Sequence, residues 1–320
     1  MSCRWEIPKY PDQAWHGRVR VRENVRLARE TYRVRFDAPE MARAIVPGQF
    51  VMLRLPDCND PLLGRPLALY DTVLDPEGRP VGLDIVYLTV GKMTGRLSGL
   101  RPGDALEAWG PLGNGFPPTP TEHLIMVAGG IGQTPLLALA REYLGRRSYG
   151  DPPRAVPHAA RVTLCYGCRS AEFFAGLDDF RSLGVEVQLS TDDGSAGHHG
   201  LVTDLVAPLV ERSERPCRIV CCGPEPMMAA TARLARRLGV ACQLSLETPM
   251  ACGIGICFSC AVKLRDPSGG WDYRRACVEG PVFDAEQVVF DDNIDASSPA
   301  SSLSPPCSMP KASSSTPLPE

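Results

Sequence analysis

No uninterrupted apolar run in the 320 residues approaches the ~18 that a membrane-crossing helix needs. No charge of one sign dominates. There are 34 Lys and Arg against 37 Asp and Glu, a net charge of −3. This argues against the broad basic field by which proteins hold nucleic acid or an anionic membrane surface. The opening MSCRWEIPKYPDQAWHGRVRV contains no apolar stretch like that of a secretory signal. The 13 cysteines are odd in number and irregularly spaced in a long chain, unlike a small secreted disulfide scaffold. A full G-x-G-x-x-G dinucleotide fingerprint is missing as well. Together these absences point to a protein of the reducing cytoplasm with neither a membrane nor a nucleic acid as partner.

What the chain does contain falls into segments. Its length suggests about two domains with a small appendage, and 44% of its residues are hydrophobic, enough for a real core. Residues 1–16 read as an irregular extension. From Gly17 the pattern is of short strands: GRVRVRENVRL, TYRVRFDAP, PGQFVMLRL, GLDIVYLTV and DALEAWGPLG, with period-2 alternation and frequent turn signals. An antiparallel β-barrel of about six strands over 17–118 closes such a set. Between these strands, Gly91-Lys92-Met93-Thr94-Gly95 is a glycine turn with Thr94 at a helix start. Such a turn can bind phosphate through backbone N–H groups and a hydroxyl, although most are only turns.

FPPTPTEH then acts as a linker, and strand and helix alternate over 119–246, which defines a parallel sheet wound by helices. The first unit places Gly129, Gly130 and Gly132 in a strand-to-helix turn ahead of Pro135. A later strand ends at Cys222-Gly223-Pro224. Both loops belong at the carboxyl edge of the sheet, where α/β folds bind ligands. SAEFFAGLDDFRSLG reads as one helix capped by Ser170 and closed by Gly184, and Thr203 reads as the cap of the next. Cys165, Cys168, Cys221, Cys222, Cys58 and Cys217 are expected to pack as small hydrophobes, and His198-His199 to be exposed loop residues. The tail over 296–320, rich in serine and proline, cannot bury a core and is expected to be disordered.

The chemistry concentrates at 247–295. Cys252, Cys257 and Cys260 stand as C-x4-C-x2-C, and Cys277 follows sixteen residues later. Thiolates hold iron or zinc, and Gly253 and Gly255 allow a tight loop to present three sulfurs. The order matches the plant-type 2Fe-2S pattern. A four-thiolate zinc module is a second reading, although zinc sites usually bring two short C-x2-4-C pairs. Plain buried cysteines are a third.

A barrel, an α/β domain and a cysteine module in this order resemble the ferredoxin–NADP reductase superfamily. Within it they are most similar to the electron-transfer subunits of NAD-dependent (class 1B) dihydroorotate dehydrogenases. The resemblance rests on GPLGNGF (110–116), AGGIGQTPLLALA (128–140), TDDGSAGHHGLVTDL (191–205), CGPEPMM (222–228) and SLETPMACGIGICFSC with RRACVEGPVF. It implies an FAD-binding barrel, an NAD-binding α/β domain and a 2Fe-2S module held by Cys252, Cys257, Cys260 and Cys277. It further implies that Arg65, Pro66, Leu67 and Ala68 lie along the flavin, that Val86, Tyr87 and Leu88 form a second flavin segment, and that Met93 and Thr94 lie near the FAD diphosphate. Ala68, Leu88 and Met93 stand where the family usually has serine, arginine and glycine.

The implied activity is electron transfer in UMP biosynthesis. Electrons would pass from an FMN-containing dihydroorotate dehydrogenase catalytic subunit through 2Fe-2S and FAD to NAD+, in a heterotetramer of two chains each. No acid–base residue for dihydroorotate is evident, which suits a subunit that only carries electrons. Rival readings are a related flavin/iron–sulfur subunit of sulfide dehydrogenase or ferredoxin:NADP oxidoreductase type, and a zinc-stabilised, non-enzymatic binding module.

Overall fold

The computed structural model describes residue 11 and residues 14–290. The serine- and proline-rich tail and most of the N-terminal extension lie outside the described residues. The extension is not irregular to its end, because the first strand already begins at Trp15.

That strand, β1 (Trp15–Ala28), is long enough to serve two neighbours. Its first half pairs antiparallel with β7 (Ala105–Leu112), and its second half pairs with β2 (Thr31–Asp37). A register shift between Val21 and Glu23 turns the corner, as a bulge does. β3 (Phe50–Arg54) and β6 (Pro80–Leu88) extend the two sides. β4 (Arg65–Ala68) lies against β3 at one end of the order, and β5 (Asp71–Leu74) lies against β6 at the other. Only Leu69 and Tyr70 separate them. The Leu69 N–H donates to Gln49 O, 3.0 Å, and the Tyr70 N–H to Asp84 O, 3.1 Å. β4 and β5 are thus one bent strand that closes the barrel, which makes six strands as the spacing predicts. Alternation supplies the interior: Val19, Val34, Phe36, Leu53, Ile85 and Leu106 all point inward and are buried. Two short helices, α1 (Pro39–Ala44) and α2 (Lys92–Leu97), fill the connections.

The second sheet is built on β8 (His123–Gly129), buried at every position. β9 (Arg161–Cys168) and β10 (Glu186–Thr191) lie on one side of it, with the two-residue β11 (His198–His199) beyond. β12 (Cys217–Cys222) and β13 (Cys242–Ser245) lie on the other, all five main strands being parallel. The winding reverses at β8. Helices α3 (Leu136–Tyr143), α4 (Leu177–Arg181), α5 (Val206–Glu211) and α6 (Glu225–Leu238) cover the sheet. Each fully buried Val, Leu or Ile of β8 contributes about 1.5–3 kcal/mol.

Two local expectations fail. The stretch read as one helix from Ser170 breaks into a single 3-10 turn, Ala171–Phe173, and the later α4. Gly176 separates them at φ 71°, where a side-chain carbon would collide with the Tyr70 hydroxyl. Ser170 makes no cap hydrogen bond. Thr203 is not the next cap either, because the Asp204 carboxylate accepts the Leu201 N–H at 3.0 Å. Among the described residues no helix is long and apolar enough to cross a membrane.

Candidate functional site

The last stretch adds a two-stranded hairpin, β14 (Ala261–Arg265) with β15 (Trp271–Arg275), and β16 (Val282–Asp284), which joins β13 antiparallel. The hairpin explains the sixteen-residue gap between the third and fourth cysteines. Its register pairs Ala261 with Arg275, so Cys260 and Cys277 emerge side by side. The Ala276 N–H donates to Cys260 O at 2.9 Å, and the two Sγ atoms lie 3.3 Å apart.

The loop before the hairpin turns through Gly253 at φ 73° and Gly255 at φ 84°. A methyl at Gly253 would also meet Met52 Cγ at 2.7 Å, so glycine lets the loop lie on β3. Trp109 Nε1 on β7 donates to Cys252 O at 2.9 Å, tying the loop to the barrel. Arg275 Nη1 holds Gly255 O at 3.0 Å, and its backbone N–H is held by Glu279 at 2.8 Å. The Ile254 N–H points at Cys252 Sγ, 3.4 Å.

The sulfurs form two pairs. The Ser259 hydroxyl, 3.1 Å from Cys257 Sγ, and the Ser259 N–H push the Cys257 thiol down to about 6, with the neighbouring Cys252 thiol adding to the effect. The contact between Cys260 and Cys277 lowers the Cys260 thiol to about 6 and raises that of Cys277. Among the described residues no three Cys, His, Asp or Glu groups converge as on one mononuclear ion. Two adjoining thiol pairs, each with one thiol held below its usual range and with backbone N–H groups beside the sulfurs, suit an iron–sulfur group held by four thiolates.

The expected flavin residues border a seam in the barrel. β4 has a single partner, β3, and β6 beyond Asp84 is paired only with β2. Arg65–Ala68 and residues 85–88 therefore each leave one backbone edge for a ligand. Arg65 Nη1 braces the loop before β4 through Leu63 O and Gly64 O, at 3.1 and 2.9 Å. The Tyr87 side chain faces the barrel core instead, donating to Asn24 Oδ1 at 3.0 Å, so only its backbone borders the seam. Met93 is also a core residue. Thr94 Oγ1 accepts the Val90 and Gly91 N–H groups at 3.1 and 3.3 Å, which caps α2 from within.

At the carboxyl edge of the second sheet, the loops after β8 and β12 pack together. A methyl at Gly132 would overlap the Cys222 carbonyl, one at Gly223 would lie 2.9 Å from Gly129 N, and one at Gly129 would lie 2.7 Å from Pro224 Cδ. Five of the six predicted residues are thus brought into contact, while Gly130 on the same loop stands in open space. Burial pushes the Cys222 thiol up. Cys165 and Cys168 are likewise buried, each pushed up to about 12, as packed thiols rather than redox groups. His198 and His199 are exposed.

Trp109 carries much of this geometry, yet no motif marks it; Ser259 and Arg275 lie inside the quoted SLETPMACGIGICFSC and RRACVEGPVF stretches, but nothing in those motifs gives them a role. A further charged recess of 330 Å³, lined by Arg33, Arg35, Asp71, Asp84, Arg141 and Arg147 among others, lies where β5 and β6 meet α3. None of the expected cofactor residues borders it.

A flavin-type barrel, a nicotinamide-type sheet and an iron–sulfur loop on one chain define a modular flavin–nicotinamide oxidoreductase. Family models match in the same order: an oxidoreductase FAD-binding domain at 18–116, an oxidoreductase NAD-binding domain at 126–233, and the iron–sulfur cluster binding domain of dihydroorotate dehydrogenase B at 247–289. The chain is 38% identical to the "Dihydroorotate dehydrogenase B (NAD(+)), electron transfer subunit" of Desulforamulus reducens, over 83% of this chain and 95% of that one. Its counterpart in Caldanaerobacter subterraneus subsp. tengcongensis is 35% identical over 86% and 99%. The chain therefore belongs to the family of electron-transfer subunits of NAD-dependent dihydroorotate dehydrogenase B. Among solved structures, that of an NADH-dependent reduced ferredoxin-NADP oxidoreductase matches with TM-score 0.69 and 28% identity, over 85% of this chain and 89% of that one. Phthalate dioxygenase reductase, at TM-score 0.53 and 19% identity over 78% and 87%, shares the fold.

Proposed function

We propose that this chain takes electrons from an FMN-bearing subunit that oxidises dihydroorotate and delivers them to NAD+, as the electron-transfer half of a cytoplasmic dihydroorotate dehydrogenase of UMP biosynthesis. Bound FAD and 2Fe-2S supply the conversion between single-electron and hydride transfer. Cys252, Cys257, Cys260 and Cys277 would hold the cluster. The seam between Arg65–Ala68 and residues 86–88 receives the flavin, and the start of α2 at Met93 and Thr94 receives its diphosphate. Gly129, Gly130 and Gly132, with Cys222, Gly223 and Pro224, receive the dinucleotide. The working units are residues 17–118, 119–246 and 247–295, and the assembly is two of each subunit.

One observation carries this reading: the four-cysteine loop is seated on the barrel itself, through Trp109 on Cys252 and Met52 against Gly253. β3, on which the loop is seated, pairs with β4, the strand proposed to lie along the flavin, so one strand separates the two sites. The 38% and 35% identity to named electron-transfer subunits favours dihydroorotate as the ultimate donor over the ferredoxin-linked relative at 28%. The test is Cys257→Ser in the complex with the dihydroorotate-oxidising subunit. NAD+-linked turnover should fall to background while dye-linked oxidation by the partner persists. Undiminished NAD+ reduction would overturn the proposal.

A further inference from the structure

One face of the iron–sulfur module is built for contact. On β15, Trp271 and Tyr273 point the same way and meet edge to face, with centroids 5.3 Å apart. They are 51% and 54% exposed. Arg275 continues that face and lies over the Phe258 ring at 5.1 Å, while Lys263 lies over Trp271, also at 5.1 Å. Phe258 is 61% exposed and the neighbouring Ile256 75%. The row runs from the hairpin to the exposed Cys257. Soluble monomers rarely leave so many large apolar groups adjoining.

The backbone also works to present it. Phe258 sits at φ 58°, a conformation that costs a residue with a Cβ about 1–2 kcal/mol. Glycine occupies the same kind of turn twice in this loop, at 253 and 255, but not here. The strain is retained where it turns an aromatic ring outward.

The other sides of the cysteine loop are taken. Cys252 is tied to the barrel by Trp109, and Cys260 and Cys277 are buried beneath the hairpin. Electron tunnelling weakens steeply with distance, so a donor must approach from the side of Cys257. That is where the row ends. Tyr, Trp and Arg are also the side chains that dominate interface energies.

We propose that Trp271, Tyr273 and Phe258, with Lys263 beside them, form the docking surface for the FMN-bearing, dihydroorotate-oxidising subunit. This rests on the functional reading above. The partner's matching surface is apolar at its centre.

Two variants of the cofactor-loaded chain test this: Phe258→Gly, which removes the ring while suiting the backbone, and Trp271→Ser with Tyr273→Ser. Binding to the purified FMN subunit is measured by calorimetry, with the visible spectrum and NADH–ferricyanide reduction as controls. Phe258→Gly should weaken binding about 10-fold and the double variant about 30-fold or more, with spectra and ferricyanide reduction as in the parent chain. Parent-like partner binding by both variants would overturn the docking surface while leaving the function intact. So would a row that holds only two copies of this chain together, seen as a dimer-to-monomer shift in the variants at unchanged partner affinity. If the parent chain itself fails to bind the FMN subunit, the functional reading and the surface fall together.

Discussion

The joint around Asp71 and the face around Phe258 treat costly groups in opposite ways. Asp71 is a buried carboxylate between the barrel and α3. Its charge is answered from within the chain. Oδ1 accepts from Arg147 at 2.7 Å, the Tyr149 hydroxyl at 2.8 Å and the Thr72 N–H at 2.8 Å, and Oδ2 lies 2.8 Å from Arg141 Nε. At the Phe258 face, aromatic rings stand in solvent over a strained backbone. The difference separates stability from function. Charge that the fold must bury is satisfied internally, while apolar surface that the fold could bury is left out. The first pattern belongs to a joint that fixes two domains, and the second to a surface that has work outside the chain.

The largest effect should come from breaking the joint. Asp71→Ala leaves two guanidinium groups facing each other without their shared carboxylate, and removing one side of a buried ion pair costs about 3–5 kcal/mol. Urea unfolding of the variant should show a loss of that order, and a second replacement, Arg147→Met, should recover part of it. A loss below about 1 kcal/mol would place Asp71 with ordinary surface pairs and remove the contrast with the Phe258 face.

A smaller effect is expected where two loops touch. Gly132→Ala drives a methyl into the Cys222 carbonyl, and overpacking of this kind costs about 1–3 kcal/mol. The loops must part, so NAD+ affinity should fall as well. Gly130→Ala is the control: open space surrounds that position, and its only penalty is its φ of 54°. Calorimetric Kd values for NAD+ should therefore separate the two variants. Equal losses would mean that backbone freedom, not close approach, is what the glycines supply.

How much of this was legible in the sequence depended on range. Period-2 alternation gave the barrel strands and apolar β8 gave the sheet, because those signals are local and repeated. C-x4-C-x2-C gave three ligands for the same reason. The sixteen-residue gap was readable only as a number. Its physical meaning, a hairpin whose register sets Cys260 beside Cys277, depends on a pairing between strands rich in charge and poor in alternation. The broken helix before Gly176 was missed because its cause is the Tyr70 hydroxyl, about a hundred positions away. Trp109 carries no mark of its role either, since its partner is a backbone carbonyl of another module. The Asp71 joint joins residues from two domains and had no local pattern to betray it.

The smallest effect lies between the two extremes, at Glu107 on β7. Its carboxyl is partly exposed, with Arg54 Nε at 2.8 Å and His16 Nε2 at 2.8 Å. Burial pushes the group up, but these two hydrogen bonds outweigh it and hold it below the usual carboxylate range. A lowered folded-state value means that the contribution is fully present above the unfolded value, about 4.3, and is lost as the pH falls through the lower folded one. Because the pair is reached by solvent, its worth is at most about 1 kcal/mol. Glu107→Gln should therefore lower stability slightly at pH 7 and flatten its decline below about pH 4, where the parent chain protonates this group. Unfolding midpoints at pH 3, 4, 5 and 7 check it. Curves that stay parallel down to pH 3 would mean that the Arg54 and His16 contacts add nothing in solution, and that only fully enclosed pairs such as those of Asp71 hold this barrel together.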